Sequence, residues 1–154
     1  MAFVQLTCHD CIDNAIHSFS GVQLRLECAE IVEKQGHPEP TGNAKITAAY
    51  NLPCKHILHT VGPIIHSTVS DKDRQLLASS YRSCLELARQ NSMESIAFCC
   101  ISTGEFRFLN EEAAKIAIKT ISDYFQTEDN NLDMKVVFNV FKEKDEQIYK
   151  QLLC

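Results

Sequence analysis

Soft metal-ligand side chains cluster near the start of the sequence. Cys8, His9 and Cys11 offer two thiols and an imidazole within four residues, with Asp10 among them and Asp13 beginning a segment of helical character. Thiolate and imidazole are donors that zinc prefers, so the cluster indicates a zinc half-site or a catalytic site. An exposed polar turn with inert thiols fits the same spacing. Asp13 also has two interpretations, because aspartate is common at helix N-caps.

A second chemical signal lies where an apolar run ends. Residues 95–101 are almost continuously apolar, which is typical of a central strand covered on both faces of a parallel sheet. The small and hydroxylated residues of the following loop, 102–106, offer amides and hydroxyls that can hold phosphate oxygens, and Gly104 admits a close backbone approach. Many such loops only connect elements, so the signal is weak by itself.

Alternating patterns predict the elements that position these groups. Helical spacing spans 14–34, where Gly21 interrupts it, and also 71–90, 111–125 and 143–153; strand patterns span 44–48, 55–61, 95–101 and 134–141. Strands that alternate with helices of about ten or more residues predict a mostly parallel sheet sandwiched between helices.

The composition indicates one globular domain, expected over residues 1–154. The net charge of −5 argues against a broad surface that binds nucleic acid. Although 45% of the residues are hydrophobic, no apolar run approaches the roughly 20 residues needed to span a membrane. We therefore expect no nucleic-acid or membrane partner. The eight cysteines are interpreted as reduced thiols, because the core is of normal size and no secretion signal is evident, and this predicts a cytoplasmic protein.

Four sequence blocks occur in a distinctive order. They are G-N-A-K-I-T at 42–47, Y-N-L-P at 50–53, H-T-V-G-P at 59–63, and S-I-A-F with I-S-T-G at 95–98 and 101–104. Together they closely resemble the macrodomain family, over nearly the whole chain. The segments C-I-D-N-A-I-H at 11–17 and C-C-I-S-T-G-E-F at 99–106 look like the zinc-containing microbial branch, whose members act as protein-ADP-ribose hydrolases.

The resemblance implies a site shared by two segments. In that branch an H-x-C-I-D segment gives zinc a histidine and a cysteine, and its aspartate contacts ADP-ribose; the matching residues are His9, Cys11 and Asp13. The family's third ligand position holds Val4, and Cys8 is the nearby substitute. The resemblance thus implies Zn²⁺ on His9, Cys11 and Cys8, with Asp13 as the catalytic residue. The ADP-ribose contacts that it implies are Cys11, Ile12, Asp13, Ser102, Thr103, Gly104, Glu105 and Phe106.

The same resemblance implies the fold and the activity. The fold would be a three-layer α/β/α macrodomain-like domain with a mostly parallel mixed sheet, lacking its first strands and the family's N-A-A-N segment. The activity would be binding of ADP-ribose and zinc-assisted hydrolysis of mono-ADP-ribose from protein side chains. The expected partners are ADP-ribose or a mono-ADP-ribosylated protein. The alternative is a non-catalytic ADP-ribose-binding module or a truncated inactive remnant.

Overall fold

Helices and strands alternate along the chain, as the sequence pattern predicts. The structure is a computed structural model that describes residues 12–126 and 133–154. Its elements in chain order are α1 (Ile12–Ser20), α2 (Val22–Gln35), β1 (Ala44–Ala48), β2 (His56–Thr60), α3 (Asp71–Gln90), β3 (Ser95–Phe98), α4 (Asn110–Gln126), β4 (Lys135–Phe138) and α5 (Glu143–Leu153). None of the described helices is both long and apolar enough to cross a membrane.

The described strands form two separate ladders. β1 and β2 are antiparallel, with Ala44 opposite Thr60 and Ala48 opposite His56. β3 and β4 are parallel, with Ser95 opposite Lys135. The sequence predicts a mixed sheet that is mostly parallel. The described part of the chain contains one antiparallel pair and one parallel pair of strands.

Helix α3 connects the two ladders. It packs against β1, β2 and β3 and also against α4. Leu77, Tyr81 and Leu85 on α3 are fully buried, and the Tyr81 ring lies 5.1 Å from the ring of Phe98 on β3. Burial of these helical-spaced apolar side chains holds both ladders to one core.

A smaller second core, called here the satellite core, lies between α2 and the antiparallel ladder. Its buried members are Leu24, Cys28, Ala49 and Ile57. Glu27 reinforces it, because its Oε2 accepts hydrogen bonds from the Ala48 amide at 3.2 Å and the Tyr50 hydroxyl at 2.9 Å. This core fixes α2 against the end of β1.

One local prediction is confirmed in detail and another changes. The helical segment predicted over 14–34 is divided at Gly21, which has a φ of 92° and where a Cβ would lie 2.8 Å from Asn51 Nδ2. A side chain there would be strained and would clash, so the helix breaks at this glycine. The strand predicted over 95–101 ends at Phe98, and Ser95 and Ala97 are exposed, so the described elements do not cover both faces.

Candidate functional site

Asp13 lies in the first turn of α1, near a histidine. Its Oδ1 is 3.7 Å from Nε2 of His17, one helical turn later, and only 18% of its side chain is exposed. Burial raises the pKa of Asp13, while the nearby His17 opposes the shift. Asp13 is inside the described helix and not before it, so the N-cap interpretation does not fit its position.

One side chain of α1, that of His17, approaches β2. The His17 ring lies 6.2 Å from the ring of His59, which is fully buried on β2, and His59 Nε2 lies 2.8 Å from Thr47 Oγ1 on β1. His59 is therefore a core residue, whereas His56 on the same strand is exposed. Burial lowers the pKa of His59 to about 3, so its ring is neutral near pH 7.

The loop at 102–106 has a strained and internally bonded backbone. Ser102 has a φ of 65° and Arg107 a φ of 59°, a left-handed conformation that non-glycine residues rarely adopt. The Ser102 carbonyl accepts from the Phe108 amide at 2.9 Å, and the Thr103 hydroxyl donates to the Cys100 carbonyl at 3.1 Å. A further bond, from the Ile65 amide to the Phe106 carbonyl at 2.8 Å, ties the loop to the chain after β2.

In these hydrogen bonds the loop contributes its carbonyl groups as acceptors, and its backbone amides do not take part. Among the described residues, no backbone N–H of 102–106 makes a hydrogen bond of ordinary geometry to a backbone carbonyl. Backbone amides almost always have a partner, in the protein or in a ligand or solvent. A run of such amides in a tight loop is the arrangement that holds phosphate oxygens.

Gly62 allows the loop to approach β2. A Cβ at this position would lie 2.0 Å from Ser102 Oγ and 2.8 Å from a methyl carbon of Ile101, a clash that the structure avoids by having glycine there. The Ser102 hydroxyl is buried without a hydrogen-bond partner among the described residues. In the sequence, Gly62 is only part of a family block, and this contact is not predicted. The Gly-Pro pair after a strand is the only local signal for it.

β2 also brings the two halves of the site together. His59 on β2 meets α1, and Gly62, three residues later, meets the loop. Three residues of chain span at most about 10 Å. Asp13, through His17 and His59, and the loop at 102–106, through Gly62, are therefore both linked to the second half of β2 and the residues that follow it.

The other predicted site residues have varied positions. Ile12 and Glu105 are exposed, Thr103 and Phe106 are half-buried, and nothing of the protein lies within 4 Å of a Cβ built on Gly104. The space beside Gly104 is thus open to a ligand. Cys8, His9 and Cys11 lie outside the described residues.

Two surface clefts of the described chain lie elsewhere. One, of about 330 Å³, is lined by α3 and the start of β1, and the other, of about 660 Å³, lies between α4 and α5. Neither includes Asp13 or a residue of 102–106. The candidate site is defined by its amides and carboxylate and not by these clefts.

Comparison with known proteins identifies the family. The family model described as the Macro domain matches residues 4–117. The chain belongs to the macrodomain family. The macrodomain resemblance of its sequence blocks is thereby confirmed, whereas assignment to the zinc-containing branch remains a prediction.

Two curated relatives of this macrodomain carry the same name. A protein-ADP-ribose hydrolase of Treponema medium is 61% identical over 146 residues, which cover 95% of this chain and 55% of the relative. A protein-ADP-ribose hydrolase of Staphylococcus aureus strain MSSA476 is 56% identical over 144 residues, which cover 93% of this chain and 53% of the relative. This macrodomain spans about half the length of these relatives.

A solved structure supports the fold. The Oceanobacillus iheyensis macrodomain with ADP is 39% identical, has a TM-score of 0.86, and the match covers 93% of this chain and 74% of that chain. The macrodomain fold expected from the sequence is confirmed. The roles of Asp13 and of 102–106 remain predictions.

Proposed function

We propose that this macrodomain binds ADP-ribose and hydrolyses mono-ADP-ribose from modified protein side chains. The observation that carries the proposal is the run of amides at 102–106, which have no backbone acceptor among the described residues, together with the open space beside Gly104. The relatives named protein-ADP-ribose hydrolases at 61% and 56% identity support it.

The ligand contacts follow from the chemistry of the two segments. The amides of 102–106 neutralise the diphosphate oxygens without a lysine, and this suits a protein with a net charge of −5. Phe106 packs against the ribose, and Glu105 is a second carboxylate near the ligand. Ile12 and Asp13, at the start of α1, and Cys11 before them contact the distal ribose.

Hydrolysis breaks the bond between C1″ of ADP-ribose and the modified side chain. The oxygen of a water molecule forms the new bond to C1″, the side-chain atom leaves with the bonding electrons, and it takes up a proton. Asp13 orients the water or the ribose hydroxyls and accepts a proton as a carboxylate. The raised pKa of Asp13 improves its capacity to accept one.

A zinc ion on His9, Cys11 and Cys8 is part of the proposal. Two thiolates and an imidazole are a donor set of the type that zinc takes. When bound, zinc supplies Lewis acidity and lowers the pKa of a water molecule. Asp13 follows Cys11 by two residues, so it stands next to this group in sequence.

The proposed environment is the cytosol. The six cysteines of the described residues, Cys28, Cys54, Cys84, Cys99, Cys100 and Cys154, are all free thiols. Reducing compartments maintain thiols in this state.

An assay of ADP-ribose release tests the activity. Purified protein is incubated with a mono-[³²P]ADP-ribosylated protein, with and without a zinc chelator, beside Asp13→Asn and the exposed control Asp123→Asn. We expect release by wild type and Asp123→Asn, and at least about a 100-fold loss in Asp13→Asn, as for removal of a general base. Saturable ADP-ribose binding without release would favour the non-catalytic binding module instead.

A further inference from the structure

Three metal-binding side chains meet beside the satellite core. They are His17 on α1, Cys28 on α2 and His59 on β2, and one donor atom from each lies within 4.8 Å of the other two. His59 is fully buried, Cys28 is 8% exposed, and the His17 side chain is 12% exposed. The cluster is thus enclosed by protein, with His17 on the side that solvent can reach.

The second nitrogen of each ring already faces an oxygen. His59 Nε2 lies 2.8 Å from Thr47 Oγ1, and His17 Nε2 lies 3.7 Å from Asp13 Oδ1. Histidine ligands in metal sites typically donate their other N–H to a carboxylate or another oxygen, and this orients the ring. The arrangement therefore assigns Nδ1 of each histidine to the metal. His17 Nδ1 is buried and accepts no hydrogen bond from the described residues.

We propose that His17, Cys28 and His59 form a zinc site. A tetrahedral ion with bonds of about 2.0–2.1 Å to nitrogen and about 2.3 Å to sulfur separates its ligands by about 3.4–3.6 Å. The three donors need to converge by roughly 1 Å, which rotation of the part-exposed His17 ring provides. A water molecule takes the fourth position.

The charges of this cluster fit a divalent ion. Zinc binding releases the Cys28 proton and leaves a thiolate, and the two imidazoles are neutral. Zn²⁺, the thiolate and the Asp13 carboxylate then sum to zero in a site with little solvent. Balanced charge is what a buried ion requires.

The site would link three elements around a small core. Among the described residues, the satellite core has four buried members, so apolar burial there is small. Bound zinc would add a cross-link that joins α1 and α2 to β2. This zinc site uses none of the ligands of the set His9, Cys11 and Cys8. It does not depend on the proposed hydrolysis.

Metal titrations of matched variants test the site. A triple variant, Cys8→Ser, His9→Ala and Cys11→Ser, removes the N-terminal donors from the full chain. Into this background we introduce Cys28→Ser or the control Cys84→Ser, which alters another buried thiol, on α3. Each chelator-treated protein is titrated with Zn²⁺ and with Co²⁺, and thiolate-to-cobalt absorption and the midpoint of thermal unfolding are recorded. His17→Gln serves as a second ligand variant in case Cys28→Ser does not fold.

The expected result separates ligand from bystander thiols. The triple variant and its Cys84→Ser derivative should bind one Zn²⁺, show thiolate-to-cobalt absorption and melt at a higher temperature with zinc. Loss of a group that only orients a ligand costs about 10- to 100-fold in metal affinity, and we expect this for Asp13→Asn. Cys28→Ser or His17→Gln removes a ligand and should weaken zinc binding by more than about 100-fold. Absence of stoichiometric zinc in the triple variant, or equal binding by Cys28→Ser and Cys84→Ser, would overturn the proposal.

Discussion

At the scale of single residues, the candidate site depends on a few constrained groups. Ser102 is held in a left-handed conformation with its hydroxyl buried against Gly62, and a strained residue of this kind costs about 1–3 kcal/mol. Such strain persists because Gly62 and the hydrogen bonds around the loop fix it. The residue types of the loop are predictable from sequence, but its strain and its contact with Gly62 are not.

The cysteines should differ sharply in reactivity. Cys84 is 2% exposed and burial raises its pKa to about 11, whereas Cys54 is exposed. At pH 8 about 0.1% of Cys84 is thiolate, the reactive form, and each unit of higher pH raises that fraction tenfold until the pKa is reached. With iodoacetamide at pH 8, peptide mass spectrometry should find Cys54 alkylated at least about 100-fold faster than Cys84. Equal rates in the folded protein would show that the α3 core opens readily.

At the scale of elements, helix boundaries follow local chemistry. α3 covers the predicted range 71–90. Its start is capped by Ser70 and Asp73: the Asp73 amide donates to Ser70 Oγ at 3.2 Å, and the Ser70 amide donates to Asp73 Oδ2 at 2.9 Å. The break at Gly21 was also signalled by sequence. The exposed face of β3 was not predicted. An apolar run indicates that a strand tends to be buried, but it does not show which element covers each face.

Loss of the α3 cap gives a pH-dependent effect. Ser70→Ala should lower the free energy of unfolding by about 1 kcal/mol at pH 7, measured by urea denaturation, while the exposed control Ser67→Ala changes little. The hydrogen bonds from Ser70 lower the pKa of Asp73 below 3.8, so the capping interaction is present above that pH and is lost as pH falls through the lowered value. The difference between Ser70→Ala and wild type should therefore shrink in acid. A difference that is constant down to pH 2 would contradict the cap.

The satellite core offers a matched pair on one helix. Leu24 of α2 is fully buried and Leu26, two residues later, is 58% exposed. Leu24→Ala should destabilise the protein by about 2–5 kcal/mol through lost burial and a cavity. Leu26→Ala should change stability by less than about 0.5 kcal/mol. Comparable effects of the two substitutions in urea denaturation would mean that α2 does not pack as described.

At the scale of the whole molecule, the candidate site is a product of tertiary packing. β2 meets α1 at His59 and the loop at Gly62, and α3 holds both ladders to one core. The sequence predicts most elements and the residue types of the site, since periodicity and loop composition are local. It does not predict that His17, Cys28 and His59 meet, because that depends on how α1 and α2 pack on β2.

The most direct test of the central claim is calorimetric titration of ADP-ribose into wild type, Gly104→Val and the control Ala29→Val. Gly104 lacks a left-handed φ and has no protein atom within 4 Å of its Cβ position, so valine should leave the fold and its melting midpoint intact while obstructing the ligand. Ala29 is exposed on α2, away from the loop. We predict saturable binding by wild type and Ala29→Val, and at least about tenfold weaker binding by Gly104→Val, equivalent to 1.4 kcal/mol. Absence of binding by folded wild type, or equal binding by Gly104→Val, would contradict the assignment of the loop at 102–106 to ADP-ribose.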